Sequence, residues 1–117
     1  MKENKLVELS MDFAVAVIRL CGETKGHAVL MGQLERAATS IVANIHEANY
    51  AHGRQDFVAK LQIALKECYE TEYWIELFAR AAIFGEEDHQ RLAAQCGTLR
   101  RILIASINTA RRGHADP

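Results

Sequence analysis

Three sets of residues in this chain have types and spacings that could do chemistry. Ser40, Asn44 and Glu47 stand at i, i+4 and i+7, so a helix would align them on one face, close to its apolar one. Glu67, Glu70 and Thr71 have the spacing to face them from a following helix. Buried together, such groups must satisfy one another, because an unpaired polar group inside a protein is costly. The reading is a buried polar network of Ser40, Asn44, Glu47, Glu67 and Glu70 that fixes helix register. Glu86-x-x-His89 is the second set. A di-iron carboxylate bundle needs that pattern on two helices and a glutamate on each of two others, and only one copy occurs here. The five histidines, His27, His46, His52, His89 and His114, have no ligand spacing that suggests zinc. Arg100, Arg101, Arg111 and Arg112 make the third set. From Arg91 to Arg112 there are five arginines and no acid, and this end could touch phosphates.

No serine or cysteine has a base at a recognisable spacing, and no glycine-rich phosphate loop is present. The expectation is therefore no catalytic residue, no metal and no cofactor. Across the 117 residues, half are hydrophobic, a quarter are charged, and the formal net charge is −1. That composition predicts one globular domain and argues against a uniformly basic nucleic-acid footprint. Cys21, Cys68 and Cys96 are an odd number without paired spacing, so they read as small buried hydrophobes in a reducing cytoplasm. The N-terminus MKENKLVELS lacks the apolar stretch of a secretory leader, and no run suits a membrane span.

The elements that must position these residues are helices. The one proline is Pro117, so nothing breaks a helix in the body of the chain. Breaks at Gly22–Gly26, Gly53 and Gly85 leave four segments, roughly 4–21, 27–50, 54–83 and 86–111, with a frayed tail from Gly113 to Pro117. In the first, Leu6, Leu9, Phe13, Val17 and Leu20 recur at helical steps. In the second, Leu30, Leu34, Ala37, Ala38, Ile41, Ile45 and Ala48 do so. The third carries a heptad seam, Phe57, Leu61, Ala64, Cys68, Thr71, Ile75, Phe78 and Ala82. The fourth repeats it with Leu92, Cys96, Leu99, Leu103, Ser106 and Ala110. Glu86, Glu87 and Asp88 at its start and Arg111 and Arg112 at its end suit the helix dipole. Four long helices on short connections predict an all-α, up-down-up-down antiparallel four-helix bundle.

There is more apolar surface than such a bundle needs. Tyr69, Tyr73, Trp74 and Leu77 lie off the third helix's seam. Val7, Met11, Val15 and Ile18 lie beside the first helix's stripe, and Ile104 and Ile107 beside the fourth's. Tyr and Trp are enriched at interface hot spots, so Tyr69, Tyr73, Trp74 and Leu77 are the expected subunit interface.

Two stretches also resemble a known family. Gln33-Leu34-x-Arg36-Ala37-x-x-Ser40-Ile41-x-Ala43-Asn44-Ile45-x-Glu47-Ala48 is similar to the helix-two signature of the bacterial four-helix-bundle proteins first noticed as reading frames inside intervening sequences of 23S ribosomal RNA genes. Asp56-Phe57, Ile63-Ala64-Leu65-Lys66-Glu67 and Glu70-Thr71-Glu72-Tyr73-Trp74 resemble helix three of that family. Val42, where proline or glycine is frequent, and His46, where a small residue is usual, depart from the pattern. The resemblance covers nearly the whole chain. It implies an up-down bundle assembled into a homopentamer, with no enzymatic activity. It also implies kinship with accessory proteins of diversity-generating retroelements, whose strongly basic barrels bind nucleic acid and the reverse transcriptase. The near-neutral charge of this chain sets it apart from those. The expected function is a non-enzymatic, self-assembling protein-binding or scaffold module, with nucleic-acid binding through the four arginines as the alternative.

Overall fold

The computed structural model describes residues 2–113. Four helices account for almost all of them: α1 (Lys2–Glu23), α2 (Ala28–Ala48), α3 (Arg54–Arg80) and α4 (Glu86–Gly113). No strand occurs among the described residues. Each helix packs on the next in the chain, and α4 closes back on α1, which leaves α1 and α3 diagonally opposed, as are α2 and α4. The result is an elongated bundle, 52 × 21 × 19 Å.

The core is the seam read from the sequence, continued through all four helices. Phe13 and Val17 of α1, Leu34, Ala38 and Ile41 of α2, Leu61, Ala64, Cys68, Ile75 and Phe78 of α3, and Leu92, Cys96, Leu99 and Leu103 of α4 are closed off from solvent. Burial of side chains of this size is the main stabilising term of such a bundle, at about 25 cal/mol per Å² of apolar surface. Among the described residues the buried polar side chains are Ser10 and Thr71, and each hydroxyl donates to a carbonyl of its own helix, Val7 O at 3.0 Å and Glu67 O at 2.7 Å. All three cysteines are free and buried. Burial lifts the Cys21 thiol to about 11, and contact with Cys68, reinforced by burial, pushes the Cys96 thiol well above its ordinary range. Both sulfurs are thus protonated packing groups at neutral pH.

At the ends of α3 and α4 the seam differs from the sequence reading. On α4 the buried residue of the last turns is Ile107, while Ser106 is half-buried. A straight helix drifts against a strict seven-residue repeat, so the core-facing position moves by one residue. On α3 the helix stops at Arg80 instead of Ile83, and Ala82 is exposed. There the Ile83 amide donates to Phe78 O at 2.8 Å and the Ala82 amide to Ala79 O at 3.0 Å. That is the Schellman ending, which requires a left-handed residue at the first position past the cap. Ala82 supplies it at φ 59° in place of the usual glycine, so the stop carries no glycine signal in the sequence. The same turn brings Phe84 edge-on against Phe78, with centroids 5.3 Å apart.

The loop before α2 turns through left-handed Gly26 and His27, and the Met31 amide takes up His27 O at 2.8 Å. Before α3, the Asp56 carboxylate accepts the His52 amide at 3.0 Å, tying the α2–α3 connection to the first turn of α3. Gly113 is the last residue of α4, and the rest of the expected frayed tail, residues 114–117, lies outside the described residues.

Candidate functional site

The five residues read as one buried polar network form three separate sets, each partly or wholly open to solvent. Asn44 donates to Ser40 O at 2.9 Å and Ser40 Oγ at 3.3 Å, one turn back on its own helix. Glu47 is exposed and meets Lys60 Nζ at 3.2 Å. Glu67 and Glu70 turn to Arg36, a residue that the reading of polar spacing left out. The physical reason is charge: two carboxylates on one helix face recruit the nearest cation, and α2 presents Arg36 one turn ahead of Ser40. Arg36 pairs with Glu67 at 3.5 Å and with Glu70, and its Nε donates to Gln33 Oε1 at 3.3 Å.

Glu70 also accepts the indole N–H of Trp74 at 3.1 Å. The Trp74 and Arg36 donors together hold the Glu70 carboxyl below the ordinary glutamate range. Gln33, Arg36, Glu67, Glu70 and Trp74 therefore make a continuous polar chain from α2 to α3. Every member belongs to one of the two sequence signatures. The signatures mark the two sides of one helix–helix clamp.

That clamp redefines the expected interface. Trp74 is half-buried and packs on the core, 5.9 Å from Phe78 and 4.8 Å from Tyr73 between ring centroids. It contributes to the subunit's own packing. Tyr69, Tyr73 and Leu77, one turn apart along the outer face of α3, are 52%, 55% and 37% exposed. On α1, Met11, Val15 and Ile18 form a second stripe, at 47%, 39% and 47%. Single exposed apolar residues are ordinary on a surface, but two aligned triplets are not. Because α1 and α3 are diagonally opposed, the two stripes point away from each other.

The four arginines do not form one patch. Arg100 is half-buried and gives its Nε to both carboxylate oxygens of Glu72, at 3.2 and 3.0 Å. This bond to Glu72 raises its pKa. Arg101 is exposed and donates to Thr98 Oγ1 at 3.3 Å. Arg111 and Arg112 are exposed in the last turn of α4. Ten helical residues span about 15 Å, so Arg101 and the terminal pair are separate features. His89 of the Glu86-x-x-His89 pattern pairs with Glu76 of α3, with Nε2 3.2 Å from Oε1. No group of three or more metal-ligating side chains occurs among the described residues. Nor is any described helix long and apolar enough to cross a membrane.

At the end of the bundle where α2 ends and α3 begins, the core leaves a hollow of about 190 Å³. Leu6, Ile45, Ala48, Phe57, Leu61 and Ala110 form its apolar wall, with Asn49, Ser106 and Thr109 beside them. Nothing in the sequence pattern announced it beyond the small size of Ser106 and Ala110 at the end of the α4 seam.

The family resemblance of the two signatures agrees with the comparison to known sequences. The sequence profile of the 23S rRNA-intervening sequence protein family matches residues 2–105. The chain belongs to that family. Among solved structures, it is similar to a protein of unknown function of the S23 ribosomal protein family from Bacteroides thetaiotaomicron VPI-5482. The two are 38% identical, with a TM-score of 0.88, covering 93% of this chain and 100% of that one. No curated protein matches the chain. Membership in the 23S rRNA-intervening sequence protein family fixes the fold and leaves the cellular role open, since the Bacteroides protein is itself described as having unknown function.

Proposed function

We propose that this 23S rRNA-intervening sequence family protein is a non-catalytic, cytoplasmic, self-assembling module that works by binding, as a scaffold for a protein partner, and requires no cofactor. One observation carries the reading. A bundle whose core is already closed presents two further apolar stripes, Met11–Val15–Ile18 on α1 and Tyr69–Tyr73–Leu77 on α3, on diagonally opposed helices. A contact between the α1 stripe of one copy and the α3 stripe of the next is head-to-tail. Head-to-tail contacts close into rings when the rotation allows. A five-membered ring is the assembly this reading favours, in keeping with the family resemblance.

Light scattering after size-exclusion chromatography tests the geometry. Val15→Glu and Tyr73→Glu each break one side of the contact, so each variant should elute as a folded monomer. Mixed together, they retain one intact α1 stripe and one intact α3 stripe and should recover a heterodimer. Failure to complement would overturn the head-to-tail pairing.

A second reading, nucleic-acid binding, is favoured by Arg101, Arg111 and Arg112, which are exposed on a helix with no acid beyond Asp88. Arg100, bound to Glu72, contributes nothing to it. A ring would repeat the three arginines in every subunit and so multiply a weak patch. Binding of a single-stranded or duplex oligonucleotide should then fall steeply with salt and be lost in Arg111→Ala/Arg112→Ala. Affinity independent of salt would exclude it.

A further inference from the structure

We propose that the hollow at the α2–α3 end of the bundle is a binding site for a small, neutral aromatic molecule with one hydrogen-bonding edge. The site is built by a taper in the α4 seam. Leu99, Leu103 and Ile107 carry the α4 core, and Ser106 and Ala110, on the side of Ile107 that faces this end, have side chains too short to fill the space beside it. The space left is about 190 Å³, walled by Leu6, Ile45, Phe57 and Leu61. An apolar cavity of about 150 Å³ in another protein stays dry and takes up benzene, so this one has room for a single or fused aromatic ring.

The lining excludes charge and offers polarity on one side. Among the described residues around the hollow, none is Asp, Glu, Lys, Arg or His. An anionic or cationic ligand would lose its hydration with no counter-charge to replace it. Asn49, Ser106 and Thr109 are the polar groups present. Elsewhere, Ser10, Thr39, Thr71 and Thr98 return their hydroxyls to a carbonyl of their own helix, and Thr24, just past α1, does so to Leu20 O. Among the described residues Ser106 and Thr109 make no such bond, so their hydroxyls are available to a ligand N–H or O–H. A second hollow, about 320 Å³, lies beside it between α1 and α4, shares Leu6, Ser106 and Thr109, and has Lys5 on its wall.

The test is a titration of the full-length ¹⁵N-labelled protein, in whatever assembly it forms, with indole as probe and benzoate as the charged counterpart. Saturable amide shifts should appear with indole around Leu6, Phe57, Ser106 and Ala110, with benzoate at least tenfold weaker. Ala110→Leu, which puts a side chain into the space from a half-buried position, should weaken indole at least tenfold while circular dichroism shows the same helix content. Thr109→Leu, at an exposed position on the rim, gives the same reading should Ala110→Leu fail to fold. Absence of saturable shifts, shifts centred elsewhere, equal binding of benzoate, or undiminished binding in a folded filling variant would each overturn the proposal.

Discussion

Arg100 on α4 grips Glu72 on α3 through one nitrogen and both carboxylate oxygens, at 3.2 and 3.0 Å. This pair takes an arginine out of the basic end of α4 and makes it part of the α3–α4 contact. Replacing it should therefore act on folding. Arg100→Ala is expected to lower stability by about 1 kcal/mol, the scale of a partly screened ion pair with a charged hydrogen bond. The check is a urea unfolding midpoint, with the slope unchanged. Arg111→Ala, in the exposed last turn, should leave that midpoint where it was.

Ala82 holds a left-handed backbone at φ 59° so that α3 can end on the Phe78–Ile83 bond. A side chain in that region costs about 1 kcal/mol relative to glycine. Ala82→Gly should accordingly raise the melting temperature, by about 4–8 °C for a domain of this size. A β-branched residue, Ala82→Val, should lower it. Thermal unfolding followed by circular dichroism reads both.

Trp74 and Tyr73 are neighbours in sequence with opposite roles. Trp74 packs on Phe78 and completes the bonding of Glu70, so Trp74→Ala should destabilise the subunit itself by about 3 kcal/mol, the lower end for loss of a large core aromatic. Trp74→Glu should prevent folding. Tyr73→Ser removes a ring exposed on the subunit, so in the Val15→Glu background, where no assembly adds to stability, it should change the unfolding free energy by less than about 0.5 kcal/mol. Chemical denaturation of the three variants at one protein concentration makes the comparison.

Glu70 is held below the ordinary glutamate range by the Trp74 and Arg36 donors. A depressed carboxyl binds fewer protons in the folded state than in the unfolded one. Its contribution is present above the unfolded value, about 4.3, and is lost as pH falls through the lower folded value. Stability should decline on acidification below that point. Glu70→Gln should be less stable than wild type at pH 7, and the difference should shrink as pH drops. Urea midpoints between pH 7 and pH 3 give the sign.

How much of this was legible in the sequence depends on range. Leu6, Phe13, Val17, Leu34, Ile41 and the α3 seam from Leu61 to Phe78 were readable because helical burial repeats at a fixed local step. The end of α3 was not, because the Schellman turn uses Ala82 where glycine would have given a signal. The polar residues were misassigned for a different reason. Spacing along one helix places Ser40, Asn44 and Glu47 on a common face, but it does not say which cation on a neighbouring helix will meet Glu67 and Glu70. Arg36 was in view as part of a signature and not as a partner. For Trp74, residue type alone does not show that the indole lies against its own core and bonds Glu70. The terminal hollow depends on four helix ends meeting, which no single stretch of sequence encodes.

Self-association through the α1 and α3 stripes is the central claim, and native mass spectrometry of the purified protein tests it most directly. The expected result is a clean multiple of 13.1 kDa, five copies, that collapses to a folded 13.1 kDa species in Tyr73→Glu. A wild-type protein that flies only as a 13.1 kDa monomer, or a Tyr73→Glu variant that keeps the full assembly, would contradict it.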